Sequence, residues 1–581
     1  MKNKTTACPL DCYDACGIVY DNGVLKAFKE GHTQGFLCPH MNHFFFHARV
    51  EKPRYKGEEI SMQEALEKLK EILSNSLKSE ILHYRGSGNF GLMQGVTDHV
   101  FAQMGSYLTD GTLCDGAGEA GIIEGRGSNK NMPLSEIAKS EVVVLWGRNP
   151  HTTSSHLLPL LKDKTVIVID PVETKAAKMA DLFIQIKPHT DIFLAMLLFR
   201  FLYIEDACDD AFLKEYASEY EDYYELTQTI RIKAILNDIG MNIGQIGDFL
   251  NLVIGKRVAI VCGVGIQKYR DGADVMRAID AFATGLGLFG KEGCGVAYLG
   301  NSKEAIEMPF KTQKAKKVSK VTTPFDDFKT VFIQGANPLA QMPDTQRVKT
   351  ALERCENIIY FGLYENETSE MADLVIPAKT FLEKDDIRTS YSHHGMLVMK
   401  RQIESEIGIS EYELAAFLAK SFDITLQEEQ EYLEHLKNHA VIKIDGSVEV
   451  ENREAVPYQD GFDTDDGEFV FLEELEVPQK PDEGEFYLLT PKSPNSLNSQ
   501  FHREEAVYLH PNLGFCEGER IRLFSNSGSV ELCVKLREEL REDCLLVYSG
   551  TKGVNNLTPS KHSYEGKSAI FQENFVRIEK I

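Results

Sequence analysis

Apolar and polar positions follow two different rhythms along the chain, and the change of rhythm divides it. Short runs that are apolar almost throughout recur at Ile81–Tyr84, Val142–Trp146, Val166–Ile169, Leu182–Ile186, Val258–Cys262, Val331–Ile333 and Ile358–Phe361. Runs of this length read as strands buried on both faces. Between most of them lie helical patterns, such as Asp191–Leu202, Val275–Leu286 and Asp344–Arg354. Ser61-Met62-Gln63-Glu64 is a capping box ahead of the amphipathic run ALEKLKEIL. Apolar strands alternating with helices predict parallel sheets covered on both faces.

From about residue 403 the rhythm is lost. The stretch to 484 is rich in acid, and Pro478–Gly484 (PQKPDEG) reads as a boundary. Beyond it strands and turns follow closely: FYLLT, AVYLHP, then RIRLFSNSGSVELCVKL, a hairpin with Asn526-Ser527-Gly528 at its turn. Before residue 52 there is little periodicity and many Cys, His and aromatic residues. The expected organisation is multi-domain α/β: a small N-terminal domain at 1–52, an α/β region at 53–402 that is discontinuous, an acidic connecting segment at 403–484 and a largely β domain at 485–581.

Length and composition narrow this picture. With 581 residues, 43% hydrophobic and 26% charged, the chain can bury several cores without staples. A net charge of −25 argues against general nucleic-acid binding and against docking on anionic lipid. The longest apolar stretch, Ile192–Ile204, contains Arg200 and is shorter than the roughly 20 residues a bilayer needs, so no membrane insertion is expected. The start MKNKTTACPLDC shows neither an apolar signal core nor a twin arginine. A cytoplasmic location is expected, with the 12 cysteines as reduced thiols or metal ligands.

Cys8, Cys12, Cys16 and Cys38 are spaced C-x3-C-x3-C-x21-C. Three thiols in one short loop and a distant fourth suit a [4Fe–4S] cluster, which takes one thiolate per iron. Structural zinc, which more often uses two C-x2-C pairs, is the alternative, and an empty site is the third. Three stretches match GxGxxG: Gly86/Gly88/Gly91, Gly116/Gly118/Gly121 and Gly285/Gly287/Gly290. Only the first follows a strand and precedes a helix, and Asp110 stands where a ribose-binding acid would, so a nicotinamide reading stays open there. Two further loops form a pair: VVLWGRNP (Val143–Pro150) and VFIQGANP (Val331–Pro338) both end an apolar strand in Gly-x-Asn-Pro. Glycine lets a ligand approach the backbone, and an Asn amide can read a base or a ribose. Two such loops at strand carboxyl ends suggest half-sites for two similar nucleotide-like ligands, although either alone could be an ordinary strand-to-helix turn. Val168-Ile169-Asp170-Pro171 ends a further strand in the same manner.

Taken in order, CPLDCYDACG, GFLCP, YRGSGN, LCDGAGEAG, VVLWGRNP, VIDP, MADLFIQIKPHTD, VFIQGANP, ETSEMADLVIPAKTFLEKDDIRTSYSHH and GVNNLT resemble the molybdopterin oxidoreductase family, the dimethyl sulfoxide reductase group. The acidic segment matches least. The resemblance implies an N-terminal [4Fe–4S] domain, two dinucleotide-binding parallel-sheet α/β domains and a C-terminal β-barrel. It implies molybdenum or tungsten held by bis-molybdopterin guanine dinucleotide, with the two Gly-x-Asn-Pro loops as the guanine-nucleotide half-sites. The family's metal ligand falls on Cys114, a soft thiolate suited to that metal; without the family, Cys114 would read as a small buried residue. One nucleotide would meet Asn149, Pro150, Asp170 and Asp191, and the other Gly335, Asn337 and Pro338. Gly86, Gly88, Asn89, Gly147, Pro171 and Gly263 are further cofactor-binding candidates. Thr490, Asn498, Asn555 and Asn556 would close over the pterins.

Two departures qualify the resemblance. The family often carries Lys or Arg two residues after the fourth cluster cysteine; here it is His40, whose charge at neutral pH is not fixed. Formate dehydrogenases of the group carry His directly after the metal ligand; here it is Asp115, which would repel formate unless protonated. Asp115 remains a candidate for proton handling; His393 and His394 read as proton donors or lining of a substrate funnel, with ordinary histidines at the surface or behind the site as the alternative. The expected reaction is a two-electron oxygen-atom transfer or dehydrogenation of a small substrate, with electrons passing through the cluster to a redox partner protein. A redox-neutral hydratase and a non-catalytic iron–sulfur electron-transfer subunit are the alternatives. Substrate choice does not follow from fold.

Overall fold

The computed structural model describes residues 5–29, 31–87, 90–438, 440–442, 448–450 and 453–581. The expected Gly88 and Asn89 therefore lie outside the described residues. The N-terminal segment forms a three-stranded antiparallel sheet, Thr5–Ala7, Gly17–Asp21 and Val24–Ala27. The loop carrying Cys8, Cys12 and Cys16 leaves the first strand and returns to the second, closed by the Cys8 N–H donating to the Cys16 carbonyl at 2.8 Å.

Two parallel sheets follow. The first has five strands in the order Leu182–Ile184, Thr165–Ile169, Val142–Trp146, Val258–Cys262 and Gly295–Ala297, all parallel. Its central strands are buried at every residue, as their unbroken apolar pattern requires. The second sheet has a parallel core of Lys316–Ser319, Tyr107–Asp110, Ile81–Arg85, Thr330–Gln334, Asn357–Gly362 and Leu374–Pro377, with two short antiparallel strands at one edge. The chain starts the second sheet, builds the whole of the first, then returns to finish the second. The apolar run beginning at Ile192 is the core helix Asp191–Ile204, buried continuously from Asp191 to Phe199. Among the described residues no helix is long and apolar enough to cross a membrane.

The acidic segment does more than connect. Its helices Glu411–Ser421 and Glu429–Lys437 bury Leu414, Leu418, Leu433 and Leu436 in the core of the second sheet. Tyr458, Phe462, Phe469 and Phe471 pack into the core of the first. The C-terminal region closes a six-stranded barrel, Phe486–Leu489, Cys544–Leu546, Ala506–Leu509, Ser529–Leu536, Arg520–Phe524 and Phe575–Lys580. Its hairpin pairs Phe524 with Ser529 across the turn expected at Asn526-Ser527-Gly528. The fold is thus mixed α/β and multi-domain, with parallel sheets and a closed C-terminal barrel.

Candidate active site

The two Gly-x-Asn-Pro loops occupy equivalent places in the two sheets. Trp146 pairs with Cys262 on one side and Ile169 on the other; Gln334 pairs with Arg85 and Phe361 in the same arrangement. The glycine after each strand is left-handed, at φ +62° for Gly147 and +54° for Gly335. Each is met by a glycine from the neighbouring strand end. A Cβ on Gly263 would stand 1.8 Å from the Gly147 carbonyl, and one on Gly86 would stand 2.5 Å from the Gly335 carbonyl. No side chain fits at either crossing, so backbone lines both strand ends. We expect Gly263→Ala to force these loops apart at about 1–3 kcal/mol. On the expectation of a guanine-nucleotide half-site there, nucleotide released per purified chain should then fall, while Gly265→Ala, where nothing lies within 4 Å, serves as the control. Equal retention in the two variants would refute a half-site at Gly147.

The other residues expected around these loops divide between local structure and open function. Asn149 closes its own turn, accepting from the His151 N–H at 3.2 Å and donating to Thr152 Oγ1 at 3.2 Å, with Pro150 buried behind it. Asn337 donates to Glu367 at 2.8 Å and accepts from Thr368 Oγ1 at 2.8 Å; Pro338 opens the helical turn Pro338–Gln341. This second strand end opens on a cavity of about 320 Å³ that Gly335, Asn337, Phe361 and Gly362 line together with Pro9 and Leu10 of the cysteine loop. At the first strand end, Asp191 accepts from the Trp146 indole at 2.7 Å, and Asp170 accepts from the Val172 N–H at 2.9 Å beside Pro171. Burial pushes the Asp170 carboxyl up to about 7 and that of Asp191 up to about 6. An Asp170 raised in the folded state binds more protons there than in the unfolded chain, from its ordinary 3.8 up to about 7. Cofactor-free protein should therefore lose stability as pH rises through that window. Thermal unfolding across pH 4–7 tests this: Asp170→Asn is expected to flatten the slope, and an unaltered slope would count against a buried, donor-seeking carboxyl.

Cys114 lies beyond the carboxyl end of Tyr107–Asp110 in the second sheet, just ahead of the helix Gly116–Arg126. Its N–H donates to Thr112 Oγ1 at 2.9 Å, and its carbonyl accepts from Gln267 Nε2 at 2.9 Å. Gln267 follows the first-sheet strand Val258–Cys262, so Cys114 bridges the carboxyl ends of both sheets. Burial, Asp115 and Asp11 push its thiol up to about 12, against the opposing charges of Lys268 and Lys492. Burial and Glu119 raise Asp115 to about 6, while Thr112 Oγ1 donates to it at 3.4 Å. Asp110, the candidate ribose acid, instead pairs with Lys567 at 2.6 Å.

Sequence reasoning missed four of the groups around Cys114: Asp11, Gln267, Lys268 and Lys492. Asp11 was visible inside CPLDC but reads there only as a spacer between cysteines. Gln267 and Lys268 sit in a turn with no periodic signal, and Lys492 comes from the barrel. Asn498 reaches the same place, donating to Asp11 at 3.2 Å and accepting from Lys492. Thr490 accepts from Gln572 at 3.2 Å. Asn555 donates to the Ala340 carbonyl at 2.8 Å, tying the barrel to the second strand-end loop, while Asn556 turns to the Ser529 carbonyl at 3.3 Å.

The four N-terminal thiols face one another. Burial comes first in raising each, and the charge of Cys38 adds to Cys8, Cys12 and Cys16 alike. Four thiolates about one zinc ion would stand about 3.8 Å apart, the edge of a tetrahedron with roughly 2.3 Å bonds. Among the described residues, the group of three or more such side chains gathered within 4.8 Å is His189, Asp271 and Glu573, not these cysteines. The four thiols are therefore spread wider than one zinc ion needs. His156 closes one side, its Nδ1 at 3.7 Å from Cys16 Sγ and 2.8 Å from Asp14. His40 stacks on Phe501 at 5.4 Å between ring centroids, and burial lowers its pKa, so it carries no fixed charge. His393 stacks on His32 at 3.5 Å, on the cysteine-loop side, and burial holds it neutral. His394 meets the Asn131 carbonyl at 3.2 Å, with its pKa lowered to about 4.

The chain belongs to the molybdopterin oxidoreductase family, whose model matches residues 56–406. It is 28% identical to a Bacillus subtilis protein named probable oxidoreductase YyaE, over 88% of this chain and 83% of that one. It is 23% identical to the F420-dependent formate dehydrogenase subunit alpha of Methanocaldococcus jannaschii, over 69% of this chain and 67% of that one. Among solved structures, acetylene hydratase from Pelobacter acetylenicus shares the fold over 100% of both chains, at a TM-score of 0.80 and 15% identity.

Proposed function

We propose that this chain is a molybdenum or tungsten bis-molybdopterin guanine dinucleotide oxidoreductase that carries out a two-electron oxygen-atom transfer or dehydrogenation of a small substrate. The observation that carries this reading is the matched pair of glycine-lined strand ends with Cys114 hydrogen-bonded between their sheets. The metal–pterin group would supply the two-electron chemistry, and Cys8, Cys12, Cys16 and Cys38 would hold a [4Fe–4S] cluster that would supply one-electron exchange with a partner protein. The chain supplies the rest. Cys114 offers the thiolate; Gly147, Gly263, Gly86 and Gly335 admit the nucleotide backbones; Asp170 and Asp191 accept from guanine N–H groups. Asp115, raised to about 6, holds or gives up a proton at its carboxylate beside Cys114 near neutral pH. The acidic Asp115 disfavours formate as substrate.

Elemental analysis of anaerobically purified protein, with released nucleotide measured on the same sample, tests this. About four irons, one molybdenum or tungsten and two guanine nucleotides per chain are expected, following one thiolate per iron. Iron without heavy metal or nucleotide would return the chain to an electron-transfer role, and zinc in place of iron would undo the cluster. A redox-neutral hydration is a second reading, since the solved structure that covers the whole chain is named a hydratase. Turnover that needs no electron donor or acceptor would select it.

A further inference from the structure

Arg388 is among the largest fully buried side chains of the protein, with none of its surface exposed. It sits in the strand Asp386–Thr389, which pairs with Gly395–Met399. Its Nε donates to the Cys8 carbonyl at 3.3 Å, and its Nη2 donates to the carbonyls of Leu10 and Cys12 at 3.2 Å each. Nη1 donates to the Thr389 carbonyl at 2.6 Å. The guanidinium carbon lies 4.4 Å over the Phe90 ring, and the Phe90 N–H donates to the Pro9 carbonyl at 2.9 Å. Two residues further along the same stretch continue the grip: Ser390 Oγ and the Ser392 N–H both donate to the Tyr13 carbonyl at 3.2 Å.

The loop that brings three of the four thiols is therefore held by its carbonyls, those of Cys8 and Cys12 among them, from a strand far away in sequence. Every hydrogen bond shown for the guanidinium among the described residues goes to a carbonyl rather than a carboxylate. A buried cation without an anionic partner is costly, and the charges that favour it are those of Cys8, Tyr391, Cys12 and Asp11. A four-thiolate cluster carries net negative charge and would complete the pair. Reduction adds one more negative charge, so a fixed cation beside the cluster favours the reduced form.

We propose that Arg388 is the positioning residue of the iron–sulfur loop and supplies, in place of His40, the fixed positive charge beside it. This rests on the cluster reading above, and the experiment separates the two. Full-length holoprotein is compared as wild type, Arg388→Gln and Arg388→Lys, reading iron per chain, the rate of iron release to a ferrous chelator and the cluster midpoint by redox titration followed by electron paramagnetic resonance. Arg388→Gln is expected to shift the midpoint to lower potential and to release iron roughly tenfold faster or more, the range for loss of an outer-shell partner. Arg388→Lys keeps the charge and loses the fork, so its midpoint should hold while iron leaves faster. An unchanged midpoint in Arg388→Gln overturns the electrostatic role. Iron release from Arg388→Lys as slow as wild type overturns the positioning role, even if Arg388→Gln fails to accumulate. Wild-type protein without iron would instead sink the cluster assignment.

Discussion

Cys114→Ala is expected to lose activity by well over 100-fold while keeping its iron and its fold. Outer-shell partners of a metal already cost roughly 10–100-fold when removed, and a direct ligand should exceed that. Thr112 and Gln267 hold Cys114 through its N–H and carbonyl, so the loop keeps its anchors when the thiol is gone. The electrostatics explain why the thiol matters. Burial and two nearby aspartates push it up to about 12, so a thiolate there is stable only opposite a cation. Cys114→Ser separates ligand softness from mere volume, because an alkoxide is a harder donor for this metal. Activity, molybdenum or tungsten content and iron content are read on the same preparation. Near-wild-type activity in Cys114→Ala, with heavy metal retained, would remove Cys114 from the site. Loss of iron together with activity would indicate a folding defect instead.

How far the sequence spoke depended on how local each signal was. The buried strands of both sheets were legible because double-sided burial leaves an unbroken apolar run, and Val142–Trp146 and Val258–Cys262 match their expected limits residue for residue. The strand expected to reach Ile186 stops at Ile184, where the chain turns toward Lys187 and the His189 kink. Four helices between Asp210 and Val253 went unremarked because they are short and amphipathic, with no apolar core run. The paired Gly-x-Asn-Pro loops could be read as a pair and Gly86 and Gly263 named as candidates, but not the crossings that bring these glycines against Gly335 and Gly147. Gly263 and Gly86 matter through contacts with chain segments 116 and 249 residues away, by subtraction of their numbers from Gly147 and Gly335. The same limit hid Arg388, whose partners are carbonyls and leave no side-chain pattern.

Breaking the buried pair Arg126–Asp280 is expected to produce the largest loss of stability of any single substitution near the site, about 3–5 kcal/mol. Arg126 ends the helix Gly116–Arg126 that begins beside Cys114, and Asp280 lies in the helix Gly272–Gly285. Arg126 Nε donates to Asp280 at 2.7 Å, a second bond joins Nη2 to the other carboxylate oxygen, and both side chains are almost wholly buried. The helices approach closely at one point, where a Cβ on Gly121 would stand 2.1 Å from the Ala273 carbonyl, and Gly125 meets the Phe469 ring of the acidic segment at 2.8 Å. With a glycine face toward its neighbour, the helix relies on the bidentate pair and on the guanidinium over Phe289 at 4.8 Å for its register. Arg126→Ala leaves Asp280 charged and unpaired in the core; Asp280→Ala leaves Arg126 so. Each single variant should cost more than the Arg126→Met, Asp280→Leu double variant, which removes both charges and refills the volume. Chemical denaturation of the three variants tests this, with activity read alongside. If the double variant recovers stability but not activity, the pair sets the angle at which this helix presents Cys114. If singles and double lose stability equally, the pair contributes packing alone.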